Sequence, residues 1–285
     1  DLDIRSPHYS VKRDIEFWYK AGYDYALLSP RYEFPKSWLN HPNAHLTNFY
    51  EYEKYPWPTI NDVDFTAVEE AAQYLPENMK IIVTPQAGIF EEAWMTMGYK
   101  TFMLGIFEQP QLIQKICDTI GNFLLQLFEK IATYEHVGGF WLADDIACSE
   151  ALIMSPGMIR KYFLHWYEKY AYIARKHNQI FAFHSDGHLT PLLDDLISIK
   201  VNAIHPIEPK ALDVKELKKK VQGKLALWGS VDQDYPLTSG STDDVRRFVI
   251  KRIHEIAPGG GFAIGSSSSI IQNIRLENYL TMINT

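Results

Sequence analysis

Short apolar runs alternate with longer stretches of helical periodicity along nearly the whole chain. The first pair is DIEFWYKAG at 14–22, where Ile15, Trp18 and Tyr19 recur at helical spacing and Gly22 acts as a stop, followed by the strand-like YDYALLSP. DFTAVEEAAQYL repeats the helical pattern with Asp64 as N-cap, and the β-branched run KIIVT at 80–84 follows it. Over 109–134 the residues Leu112, Ile116, Ile120, Leu124, Leu127 and Ile131 make one apolar stripe, with Cys117 beside it as a small core hydrophobe. A strand is predicted at 140–143. Ser155 and Pro156 then open a helix through Tyr162, Trp166, Tyr170 and Ile173, because proline at the first turn forfeits only an N–H that has no helical partner.

The second half continues the alternation. FAFHSDGH at 181–188 reads as a strand breaking into a polar loop, followed by the helix of PLLDDLIS. VNAIHPIEP is the next strand, 214–220 a charged helix, LALWGSVD a strand, and DDVRRFVIKRIHEIA a helix ended by the glycines at 259–261 before the last strand, FAIGSSSSI. Seven strands alternating with helices predict a parallel sheet with right-handed crossovers. Asp144, Asp145, His184, Asp186, His205, Glu208, Asp232 and the serines 266–269 all fall at or just after C-terminal strand ends, the rim where a TIM (β/α)8 barrel gathers its chemistry. A barrel needs eight strands, so the first is expected N-terminal to this chain or missing from it. An open doubly wound sheet would call for a glycine-rich phosphate fingerprint before a helix, whereas GGGF at 259–262 precedes a strand. The expectation is one barrel domain over 1–285. Residues 31–58, rich in proline, asparagine and aromatics, suggest a long loop at about 30–60 over the barrel mouth, or an excursion packed by its own aromatics.

His184 and Asp186 lie two apart and so share a face, as needed to serve one metal or one substrate. Their structural alternatives are equally concrete: a solvated turn for HxD, helix capping for Asp144 or Asp145, a loop acid for Glu208 before Pro209, and barrel core for Trp228. Convergence on one rim favours function for the set.

Charge narrows the partners. The net charge of −7 and the absence of a basic stripe argue against nucleic acid, and no apolar run approaches the roughly 20 residues of a membrane span. Two cysteines, Cys117 and Cys148, are too few for a disulfide framework and suit a reducing, cytoplasmic compartment. The chain starts at Asp1 without methionine, which raises the expectation of a longer natural N-terminus.

In order, YPWPTINDVDF, GIFEEAWMTMGY, LADDIA, SPGMIRKYFLHWYEK, FHSDGHLTPLLDDLI, AIHPIEP, LWGSVD and GGGFAIGSSSSI resemble the uroporphyrinogen decarboxylase superfamily, and within it the corrinoid-dependent and coenzyme M methyltransferase branch. The resemblance implies a TIM barrel and an enzyme moving a methyl group between a small methylated donor and a corrinoid protein or thiol. In that branch a zinc ion is held by a His-x-Cys pair and a cysteine after the last strand; the corresponding positions here are His184, Asp186 and Ser267. Only the histidine matches. Hydroxyl and carboxylate lack the soft character of thiolates, which leaves a harder site, with His184, Asp186 and Glu208 as ligands for zinc or another divalent metal. Asp144 and Asp145 are expected as acid, base or substrate anchors, and His205, Asp232, Ser267 and Arg31 as substrate contacts. The decarboxylase branch, which needs no cofactor, implies cations for a polycarboxylate porphyrinogen. Of nine arginines none lies between Arg31 and Arg160, and the rim collects acids instead. A non-catalytic small-molecule barrel is the third alternative. The oligomeric state is not legible.

Overall fold

The computed structural model describes residues 9–35 and 46–285. Its strands are β1 (Tyr25–Leu28), β2 (Lys80–Val83), β3 (Val137–Ala143), β4 (Ile180–His184), β5 (Ala203–Ile207), β6 (Ala226–Val231) and β7 (Phe262–Ser266). They form one sheet in sequence order with every neighbouring pair parallel. Helices α1 (Tyr9–Lys20), α2 (Phe49–Lys54), α3 (Thr66–Ala71), α4 (Ile89–Met97), α5 (Tyr99–Glu108), α6 (Pro110–Ile131), α7 (Pro156–Ile159), α8 (His165–Lys176), α9 (Leu193–Ser198), α10 (Val214–Val221), α11 (Thr242–Ile256) and α12 (Leu276–Ile283) fill the connections. A π turn at Arg160–Leu164 joins α7 to α8.

Side-chain contacts show that the sheet curls. Strands in a flat sheet sit about 4.8 Å apart, so β3 and β6 would be separated by roughly 14 Å. The rings of Trp141 on β3 and Trp228 on β6 nevertheless meet at 4.7 Å, and Tyr25 on β1 reaches Trp228 at 5.3 Å. Pleating explains which side chains turn inward. Phe140 stacks on Phe128 of α6 at 4.6 Å and Phe183 packs on Tyr167 of α8 at 5.1 Å, so these point out to the helices. Their neighbours Trp141, Ala182 and His184 therefore point in. In register, Trp141 stands beside Ala182 and Ala182 beside Ala203, so two alanines leave room for one indole.

This is the TIM-like α/β architecture expected, with seven strands in order. β1 and β7 do not pair with each other, and a cavity of about 550 Å³, lined by Tyr25, Trp141, His205, Trp228 and Ile264 among others, opens where an eighth strand would close the barrel.

The long α6 stripe is buried along its length, including Cys117, whose thiol burial pushes well up from its ordinary pKa. Ahead of it, the segment between β2 and α6 folds as α4 and α5. The helix predicted after Asp64 is shorter than its pattern: α3 ends at Ala71, and Asp64 still accepts the Thr66 N–H at 2.9 Å. Of the expected loop, residues 36–45 lie outside the described residues. The described flanks pack on α6, where Phe34 meets Phe123 at 5.2 Å and the Tyr52 hydroxyl bonds Thr119 Oγ1 at 2.6 Å. No helix among the described residues is long and apolar enough to cross a membrane.

Candidate active site

Asp144 and Asp145 follow β3 and diverge, as successive residues of an extended chain must. Asp144 is fully buried on the helix side. It accepts the N–H groups of Phe90 at 3.1 Å and Glu91 at 3.0 Å, capping α4 from another segment, and the Tyr167 hydroxyl at 2.5 Å. Gly88 is required there: a Cβ on it would lie 2.2 Å from Asp144 Cβ. Burial raises the Asp144 carboxyl to about 6 against the lowering pull of these donors.

Asp145 turns to the barrel interior. Its Oδ1 accepts the Asp186 N–H at 2.9 Å and lies 3.7 Å from His184 Nε2. The Asp186 Oδ1 lies 3.8 Å from the same Nε2, is buried, and has no hydrogen-bond donor among the described residues. One ligand atom from each of Asp145, His184 and Asp186 falls within 4.8 Å of the others. Burial lowers the His184 pKa despite Asp145 and Glu208, so the ring is neutral at neutral pH, the form that binds metals. Burial and then Asp145 raise Asp186 to about 6.

The HSDGH loop is clamped by its own backbone. Four successive N–H groups are used: Ser185 to His205 O at 3.0 Å, Asp186 to Asp145, Gly187 to Glu208 Oε1 at 2.7 Å, and His188 to Cys148 O at 2.9 Å. Gly187 has φ +90°, and a Cβ there would sit 2.3 Å from Cys148 O. With its donors spent on fixed partners, the loop holds Asp186 in one place.

The other residues singled out from the sequence divide. Glu208 lies outside the three-ligand group; it anchors Gly187, and burial raises its pKa against that N–H. Asp232 Oδ1 accepts the N–H groups of Asp234 and Tyr235 and is 3.5 Å from Lys210 Nζ. Ser267 is buried and accepts the Gln233 N–H at 3.1 Å, so its hydroxyl holds the loop after β6. Its neighbour Ser268 reaches Asp186 Oδ2 at 3.4 Å. Arg31 is exposed and bridges by its backbone to Asp64. His205, on β5 beside His184, contacts it directly, Nδ1 to Nδ1 at 2.7 Å. A cavity of about 370 Å³ brings together Asp186, Glu208, Asp232, Ser267, Lys210 and the exposed Cys148.

Sequence reasoning passed over Glu91. Burial, then Asp144 and Asp145, push its carboxyl up to about 8, so it is protonated at neutral pH beside the group. Its position in the first turn of the helix after β2 is the rim signature that marked the other residues.

The donor set can be matched to a cation. One neutral imidazole and two carboxylates make a nitrogen and oxygen site suited to zinc or a harder divalent metal, and the orphaned Asp186 Oδ1 is an acceptor in want of positive charge.

Comparison with known proteins agrees with the architecture. A methyltransferase from Methanosarcina mazei is 19% identical with a TM-score of 0.62, covering 76% of this chain; the chain spans 61% of that protein's length. A protein assigned as a vitamin-B12 independent methionine synthase from Listeria monocytogenes is 12% identical with a TM-score of 0.55, covering 96% of this chain and 83% of that one. No curated protein sequence matches. The family model described as uroporphyrinogen decarboxylase (URO-D) matches residues 43–285. That match takes in six of the seven strands and every rim residue from Asp144 onward, and the chain belongs to the uroporphyrinogen decarboxylase family.

Proposed function

We propose that the protein is a methyltransferase that moves a methyl group from a small methylated donor to a corrinoid protein or thiol, at a divalent metal site made by Asp145, His184 and Asp186. The observation that carries this reading is the group itself: an imidazole facing two carboxylates, one with an orphaned buried oxygen. When bound, a divalent cation there supplies Lewis acidity, favouring the ionised form of a coordinated thiol or hydroxyl.

The chain's own groups do the rest. Asp145 holds the Asp186 backbone and so sets the spacing of the two carboxylates. Glu208, through Gly187, fixes the loop and presents a half-buried carboxyl to the adjoining cavity as proton acceptor or donor. Glu91 carries a proton at neutral pH and is the acid closest in character to a general acid.

Charge favours this reading over the decarboxylase one. Among the described residues lining the cavity, Asp186, Glu208, Asp232 and Asp234 face a single cation, Lys210, which Asp232 and Asp234 already pair. Such a rim opposes a polycarboxylate. The test incubates the zinc-loaded protein with O-, N- and S-methylated small molecules and cob(I)alamin, following methylcobalamin by its visible spectrum. Turnover lost in His184→Ala is expected. Loss of carbon dioxide from uroporphyrinogen by the same protein, with no methyl transfer, would contradict the reading.

A further inference from the structure

His205 is fixed from three sides. Its backbone continues β5, where it stands in register with His184. Its ring packs on Trp141 at 4.6 Å and on Trp228 at 5.9 Å, and it lies nearly parallel to the His184 ring, 25° between planes and 4.9 Å between centroids. Against this indole pair, whose rings touch each other at 4.7 Å, its Nδ1 meets His184 Nδ1 at 2.7 Å. Two nitrogens at that distance share one hydrogen, carried by one and accepted by the other.

The consequence for His184 is geometric. With Nδ1 occupied by His205, only Nε2 is left to face Asp145 and Asp186, and it does so at 3.7 and 3.8 Å. A histidine that binds a cation through Nε2 must keep its hydrogen on Nδ1, and that hydrogen needs an acceptor. The usual acceptor is a carboxylate or a backbone carbonyl. Here the contact is a second imidazole, itself held by two indoles.

We infer that His205 is a positioning residue for His184: it accepts the Nδ1 hydrogen of His184 and locks the ring so that Nε2 is presented to a divalent cation between Asp145 and Asp186. The inference rests on the metal reading above and gives that site a support that neither the HxD motif nor the carboxylates supply. His205 does not touch the cation; it acts through His184. The hydrogen stays within the pair, so no proton is gained or lost.

The test separates hydrogen bonding from packing by two substitutions. His205→Phe keeps an aromatic ring against Trp141 and Trp228 but has no acceptor. His205→Asn restores an acceptor near the Nδ1 position with a smaller side chain. Zinc affinity is measured by competition with a chromophoric chelator for wild type, His184→Ala and both His205 variants, with thermal melts confirming that each is folded. Loss of binding in His184→Ala, an affinity about 10- to 100-fold weaker in His205→Phe, and substantial recovery in His205→Asn are expected. The ring nitrogen resonances of zinc-loaded, 15N-histidine-labelled protein give a second readout. His184, assigned by its absence from His184→Ala, should carry its hydrogen on Nδ1 in wild type and in His205→Asn. Wild type that binds no zinc, or binds it as tightly without His184, overturns the metal reading and this one with it. Binding that needs His184 but is equal in wild type and His205→Phe leaves the metal site standing and overturns the role of His205 alone.

Discussion

Asp144 and Asp145 are neighbours in sequence and opposites in environment. The first is sealed between α4 and α8, its oxygens filled by two backbone N–H groups and a tyrosine hydroxyl. The second faces the barrel interior, half-exposed, beside an imidazole and a carboxylate whose nearest oxygen has no donor. One step along an extended chain turns a side chain from one face to the other. That step separates a carboxylate spent on holding the fold from one left for chemistry.

The contrast is broken most forcefully at the buried member. Asp144→Ala leaves two buried donors and one part-buried donor without an acceptor, at about 1–3 kcal/mol for each buried one, and should lower the unfolding free energy by about 3–5 kcal/mol in urea titrations. Asp145→Ala should do the reverse, weakening zinc more than about 100-fold, beyond what loss of an outer-shell partner costs, while stability falls by only about 1 kcal/mol. Gly88→Ala, which drives a methyl into Asp144, should cost about 1–3 kcal/mol by thermal denaturation and leave zinc affinity near wild type. The smallest effect is expected for Glu208→Gln, which retains an oxygen for the Gly187 N–H. Zinc binding should be nearly unchanged by calorimetry, separating the loop anchor from the ligands.

Much of the fold was legible because each strand is a short apolar run closed by turn residues, and because the helices carry a regular stripe, as in α6. The rim was legible for the same reason: once strand ends are found, residues such as His184 and Glu208 are placed on it by topology. What local pattern could not supply was register and facing. That His184 stands beside His205 depends on how β4 and β5 slide past each other, and 20 residues of intervening chain do not encode that shift locally. The order of Asp144 and Asp145 depends on the pleat at the end of β3. A one-residue change of phase would exchange their roles. Ser268, which reaches Asp186, was overshadowed by Ser267 for the same reason, since in a run of four serines only the backbone path decides which hydroxyl faces the site. Glu91 was passed over because α4 has glycine, Gly88, as its N-cap residue and so no side-chain cap of its own; its cap is Asp144, distant in sequence.

The central claim is that Asp145, His184 and Asp186 together hold one divalent cation. Isothermal titration of the full chain with zinc tests it most directly, comparing wild type with Asp145→Ala, His184→Ala and Glu208→Gln. The account predicts one ion per chain for wild type and Glu208→Gln, and none at the same concentrations for the other two. No uptake by wild type, or binding that survives in Asp145→Ala and His184→Ala, would contradict it.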